Sequence, residues 1–240
     1  MTAPRLHRAL EASFDELSAR VPATIGVAIA YPDEVRSLGP WSVGVAWSTI
    51  KVPLAIAALR NDPSRADDLA VKAISQSDNA ASESLWSQLG DPTEAARQVQ
   101  AVLREGGDST TVVESRRLRA GYTPFGQTQW ALRDQARFAA NLAGVPDAAV
   151  VLDLMNRLVA EQQWGLAAKG VAAKGGWGPG VEDGYLVRQF GILPTELGVL
   201  GVAMAAEADT FQTGVGVLNT LTEWLFNHSD GLAVTGPSLD

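Results

Sequence analysis

Ser48 and Lys51 stand three positions apart in Trp47-Ser48-Thr49-Ile50-Lys51-Val52-Pro53. On a helix, residues i and i+3 share a face. A hydroxyl and an amine held that way form a nucleophile and its base, provided the amine is neutral. Desolvation favours the neutral amine by lowering its pKa. The following run, Leu54 to Leu59, is too apolar for a surface helix, so the expectation is a buried helix with this pair at its entrance. A lone S-x-x-K carries little weight, because about one arises by chance in a chain of this size. A helix N-cap serine followed by a surface lysine explains it as well.

Two more stretches carry polar groups of the same kind. Ser77-Asp78-Asn79 lies between two helical patterns, where each residue type also serves as a cap. Lys174, in Ala172-Ala173-Lys174-Gly175-Gly176-Trp177, falls on an expected strand with glycines after it. Composition narrows the remaining chemistry. There are no cysteines, which excludes disulfides, thiol catalysis and cysteine-based metal sites. The two histidines, His7 and His228, sit near opposite ends without ligand-like neighbours, which argues against a metal site and against a Ser-His-Asp triad. Chemistry is left to Ser, Lys, Glu, Asp and Tyr, with no cofactor. The net charge of -8 and the lack of a basic cluster exclude nucleic acid as a partner. No run is long and apolar enough to span a bilayer. The start Met1-Thr-Ala-Pro-Arg has no apolar signal segment. The chain is expected to be cytoplasmic as it stands, or secreted or periplasmic with an export signal removed.

The elements that must hold these residues follow from periodicity. Leu6, Leu10, Phe14, Leu17 and Val21 mark an amphipathic helix ending at Pro22. Ala23 to Tyr31 reads as a buried strand, turned by Pro32-Asp33. Val35 to Val45 reads as a second strand broken by Gly39-Pro40. Helices are expected from Ser48 to about residue 61, over 66–75, 80–89, 93–105, 129–142 and 147–161. Residues 106–128 form a long polar loop, of a size that is usually functional or disordered. After Gly165 come three strands (171–176, 185–193 and 197–205), a helix over 213–226 and a tail. The sum is α+β: a five-stranded antiparallel sheet flanked by terminal helices, with an inserted all-helical lobe. The sheet lobe takes about 1–46 and 165–228 and the helical lobe about 47–164, all within a single domain.

S-x-x-K, S-D-N and a lysine-glycine strand motif, in this order, resemble the signatures of serine β-lactamases and penicillin-binding proteins. The likeness is greatest to class A β-lactamases. It extends to WSTIKVPLAIAAL and AVKAISQSDNAASESLWSQLG, and the layout matches over nearly the whole chain. The resemblance implies Ser48 as nucleophile, Lys51 as proton acceptor, Ser77 as proton shuttle towards the leaving nitrogen, and Asn79 as a binder of the substrate amide. It implies that Lys174 places positive charge near Ser77 and the substrate carboxylate. It also implies that the strand at Gly176 and Trp177 binds substrate, the backbone N–H groups of Ser48 and Trp177 forming an oxyanion hole.

Three departures qualify the likeness. Gly175 stands where the family carries a hydroxyl for a substrate carboxylate; Arg188, on the next strand, either compensates or is an ordinary exposed arginine. The glutamate that activates the deacylating water has no counterpart; Glu114 either substitutes or is a surface charge. Ser48 and Ser77 lie 29 positions apart, short for the family, which implies a more open cleft. Trp177 is expected to line that cleft, with Trp47, Trp86, Trp130 and Trp164 in the core. The functional expectation is a β-lactamase-like serine hydrolase acting on a small-molecule or peptide-like amide or ester through an acyl-Ser48 intermediate, weak or inactive on classical β-lactams. A D-Ala-D-Ala peptidase or a non-catalytic binding member of the fold are the alternatives.

Overall fold

Alternation of small and large apolar residues along the strands decides which side of the sheet receives which layer. The computed structural model describes residues 3–31, 34–180, 183–195 and 198–228. Helix α1 (Ala3–Ser18) leads into β1 (Thr24–Ala30) and β2 (Val35–Leu38). A short β3 (Val43–Val45) precedes a 3-10 turn at Trp47–Ile50. The helical block follows: α2 (Lys51–Asn61), α3 (Pro63–Ser75), α4 (Asn79–Gln88) and α5 (Pro92–Glu105). The loop over 106–128 ends at β4 (Gln129–Ala131), and α6 (Leu132–Asn141) and α7 (Ala149–Met155) complete the block. Strands β5 (Ala172–Pro179), β6 (Tyr185–Thr195) and β7 (Gly198–Ala208) precede α8 (Phe211–Asn227).

The five-stranded sheet has the order β2-β1-β7-β6-β5, and every pairing is antiparallel. The α+β architecture expected from the sequence is therefore present. Ile25, Val27 and Ile29 face the layer of α1 and α8, where Phe14 meets Trp224 edge-on at 5.2 Å between ring centroids. Ala28, Ala30, Ala203 and Ala205 face the helical lobe. Small residues on that face let α6 approach closely; a Cβ at Gly201 would lie 2.0 Å from the Ala136 carbonyl oxygen. No single described helix is long and apolar enough to cross a membrane.

Several boundaries differ from expectation. The second strand is two: β2 stays in the large sheet, while β3 pairs with β4 in a separate two-stranded ribbon. Residues 129–131, expected to begin a helix, supply β4, because Trp130 packs into the core as a strand residue between Phe138 and Phe190. The helix expected over 147–161 stops at Met155 and gives way to a turn and a 3-10 segment at Ala160–Gln162. The Pro32-Asp33 turn, Leu197 and the tail lie outside the described residues.

Arg188 joins the ribbon to the large sheet. It sits on β6 opposite Gly176 and is fully buried. Its guanidinium donates to the Gly44, Val45 and Trp130 carbonyl oxygens and to Gln135 Oε1, at 2.8 to 3.1 Å. It also lies 5.3 Å from the Trp41 ring centroid. Burial lowers its pKa to about 9, so it stays charged at neutral pH. Both expectations for Arg188, a substrate contact and an ordinary exposed arginine, are corrected: it is fully buried, and its hydrogen bonds are spent on the β3–β4 ribbon and on Gln135. Removing a charged donor strands buried acceptors, each worth roughly 1–3 kcal/mol. Arg188→Ala is therefore expected to lower urea-unfolding stability by about 3 kcal/mol or more, and a loss below about 1 kcal/mol would contradict the role given to it here.

Candidate active site

Ser48 lies on the 3-10 turn at Trp47–Ile50, immediately before α2. With three residues per 3-10 turn, Ser48 and Lys51 stack on one side. The turn is held from beneath: Thr49 Oγ1 donates to the Ala46 carbonyl at 2.6 Å and accepts from Gln135 Nε2 at 3.0 Å. Because Gln135 also accepts from Arg188, the buried guanidinium is linked through one amide to the residue beside Ser48.

The junction between α3 and α4 brings the second motif to Lys51. Asp78 caps α4, accepting from the Ala81 N–H at 2.6 Å. Asp78 thus does the capping work, which frees its neighbours to turn inward. Lys51 Nζ donates to the Ser77 carbonyl oxygen at 2.6 Å and to Asn79 Oδ1 at 2.8 Å, and stands 3.4 Å from Ser77 Oγ. From the opposite side Lys174 Nζ reaches Ser77 Oγ at 3.0 Å, with Gln162 Oε1 and the Gly175 carbonyl completing its partners at 3.1 Å. One hydroxyl therefore sits between two amines.

Both amines are buried, Lys51 2% and Lys174 0% exposed. Desolvation pulls Lys51 from 10.5 to about 7, with the Asp78 carboxylate opposing it. Burial, and then the charge of Lys51, holds Lys174 well below its ordinary value. The site also carries backbone strain. Trp47 and Ser77 are two of the three described non-glycine residues with positive φ, at 50° and 57°. Such conformations cost on the order of 1–3 kcal/mol each and persist where surrounding structure enforces them.

Strand β5 closes the site. It is an edge strand of the sheet. A Cβ at Gly176 would fall 2.8 Å from the Ala46 carbonyl oxygen and 2.8 Å from the Ser48 nitrogen, so only glycine permits this approach. The pocket beside it is lined by Trp47, Ser48 and Lys51, by Ser77, Asn79 and Glu83, by Trp177, and by the loop residues Gly121, Tyr122, Thr123, Phe125 and Gly126. The long loop is thus a wall of the pocket. Arg119 pins it to β5, donating to the Pro179 and Gly180 carbonyls while lying 4.6 Å from the Tyr122 ring centroid.

Ser48, Lys51, Ser77, Asn79 and Trp177 therefore surround one pocket. Lys174 reaches it only through Ser77, and Gly176 through its backbone. Glu114 is not brought in. Its carboxylate accepts from the Arg116 N–H at 2.8 Å and from the Arg116 guanidinium at 3.0 Å, and these bonds hold it below the usual carboxylate range. The Ser48 hydroxyl has no hydrogen bond among the described residues. Seven lining residues escaped the sequence reading: Trp47, Glu83 and the loop residues Gly121, Tyr122, Thr123, Phe125 and Gly126. Trp47 was expected in the core only. Tyr122 lies in a loop without period. Glu83 had a signal, being four positions after Asn79 and so on the same face of α4.

Solved structures share this arrangement of elements. A class A β-lactamase from Bacteroides cellulosilyticus superposes with a TM-score of 0.75 at 15% identity, over 98% of this chain and 99% of that one. PBP-A superposes with a TM-score of 0.69 at 21% identity, over 92% and 96%. The chain has a β-lactamase-like fold. A PBP-A L158E mutant, captured as an acyl-enzyme complex with penicillin G, also matches, with a TM-score of 0.66 at 20% identity over 95% and 97%. No family model and no curated protein matches the sequence. Within the β-lactamase-like fold, the pocket lies where the helical lobe meets the edge of the sheet.

The buried amine makes stability depend on pH. Between about 7 and 10.5 the unfolded chain holds the Lys51 proton and the folded one does not. Stability gained from this group therefore rises with pH across that window and is at its lowest below it. Lys174 acts in the same direction. In urea unfolding at pH 7 and pH 9, the wild type is expected to gain more stability from the pH increase than Lys51→Met. Equal gains would mean that Lys51 keeps its ordinary pKa.

Proposed function

We propose that this protein is a serine acyl-transfer enzyme of the β-lactamase-like kind, acting on an amide or ester through acyl-Ser48. The observation that carries the reading is Lys51: an amine desolvated to a pKa of about 7, fixed by Ser77 and Asn79 one turn from a serine that lines the pocket. A base near the working pH is best placed to accept and return a proton.

Ser48 Oγ attacks the carbonyl carbon and its proton passes to neutral Lys51. The new Oγ–C bond pushes the carbonyl pair onto oxygen, which the backbone N–H groups of Ser48 and Trp177 receive. Collapse breaks the bond to the leaving nitrogen or oxygen. Ser77 Oγ, between the two lysines, hands that atom a proton, and Lys51 replaces it. Water then cleaves the ester. Glu114 is turned to Arg116, so it does not activate this water, and the acyl-enzyme is long-lived with weak or absent turnover of penicillins. One observation favours a second reading, a binding protein that keeps the fold: Ser48 lacks a hydrogen bond to Lys51. Catalytic hydrogen bonds are often long before substrate arrives, so the enzyme reading is preferred.

A fluorophosphonate is expected to add its phosphonyl mass to the wild type and not to Ser48→Ala, faster as pH rises through about 7. An unlabelled wild type beside a control serine enzyme that labels would sink the enzyme reading. Glu114→Gln is expected to leave the lifetime of an ester-derived acyl adduct unchanged by intact mass. A lifetime extended about tenfold would restore Glu114 as the base.

A further inference from the structure

Among the described residues, the pocket lining offers no cationic side chain left free for a negatively charged substrate. Side chains on a strand alternate between faces. Lys174 and Gly176 turn towards the helical lobe, Gly175 and Trp177 towards α8. On that second face a side chain at position 175 is excluded, since its Cβ would lie 2.6 Å from the Trp164 ring. Trp164 in turn meets Trp177 at 6.2 Å, and Trp177 meets Phe211 at 5.3 Å between ring centroids. Trp177, half-buried, is the one ring of this aromatic wall that lines the pocket, with Trp164 and Phe211 standing behind it.

The basic side chains nearby are committed elsewhere, Arg119 to the Pro179 and Gly180 carbonyls while it stacks on Trp47 and Tyr122. Lys174 is fully buried and donates to three oxygens, and Arg188 is fully buried behind β5. The charged side chains lining the pocket are Lys51, spent on Ser77 and Asn79, and Glu83, which adds negative charge. Arg117 stands outside the lining, where it donates to the Tyr122 carbonyl at 2.8 Å and meets Glu83 at 3.4 Å, so Glu83 already balances its charge. The remaining lining is rich in rings: Trp47, Tyr122, Phe125 and Trp177.

We propose that the Ser48 pocket selects acyl donors that are uncharged beside the scissile bond and aromatic or otherwise apolar there, and rejects those bearing a carboxylate at that place. Such a carboxylate would give up its water to meet rings and Glu83, with only neutral donors such as Asn79, Tyr122 and Thr123 in return. The proposal rests on the acyl-Ser48 reading and names its substrate class.

A matched pair of chromogenic esters tests it. 4-Nitrophenyl phenylacetate and its 3-carboxy-4-nitrophenyl analogue release closely related phenols and differ by one carboxylate. Rates are taken as the excess over Ser48→Ala and normalised to each ester's spontaneous hydrolysis. The wild type is expected to show at least about a tenfold higher kcat/KM for the neutral ester, a difference of roughly 1.4 kcal/mol. Trp164→Ala combined with Gly175→Thr opens the wall and installs a hydroxyl, and is expected to narrow the ratio. Should that pair fail to fold, Glu83→Gln is expected to narrow it by raising kcat/KM for the anionic ester. Equal rates, or preference for the anionic ester, overturn the proposal while leaving acyl-Ser48 intact. No excess over Ser48→Ala with either ester, together with no phosphonate adduct, overturns the acyl-Ser48 reading and this one with it.

Discussion

An amine taken out of water sets the terms for this molecule. Lys51 is nearly inaccessible, and its solvation is replaced by a carbonyl and an amide oxygen from the start of α4. Those two acceptors are in place only if Ser77 takes a left-handed backbone conformation and Asp78 caps the helix. The same junction carries Ser77 Oγ to Lys174 on β5. Burial of one lysine thereby ties α2, α4 and the edge of the sheet into a single polar cluster. The cost of desolvation is what leaves the amine able to accept a proton near neutrality.

A second buried cation does the opposite work. Arg188 keeps its charge and disperses it over three carbonyls and one amide, which fixes the ribbon of β3 and β4 against the large sheet. Through Gln135 and Thr49 that order reaches the turn bearing Ser48. A lysine tuned by loss of solvent and an arginine holding four acceptors are both tied to the elements around Ser48. The contrast follows from chemistry: an ammonium loses its proton when starved of solvent, whereas a guanidinium holds it and demands planar acceptors.

The parts legible in the sequence were those fixed by near neighbours. Ser48 and Lys51 are joined by the turn geometry of four residues, and Ser77-Asp78-Asn79 by a cap; periodicity outlined the strands of the sheet. What depended on distant register was not legible. Arg188 could be placed on a strand, but its inward direction follows from which residue of β5 it faces, a matter settled by long-range pairing. Glu114 could be placed near the site along the chain, yet the loop turns its carboxylate to Arg116, two residues away. The ribbon strand at 129–131 was hidden because three residues are too few to show a period, and a helix begins directly after them.

The meeting of Gly176 with the turn at Ser48 has a consequence for the protein in a crowded solution. Strand β5 ends the sheet, and an uncovered edge strand invites pairing with another chain. The Ser48 turn lies against it with no room for even a methyl group. The closeness that sets Ser48 against strand β5 therefore also covers part of this border of the sheet against self-association. Chemistry and colloidal behaviour rest on the same glycine.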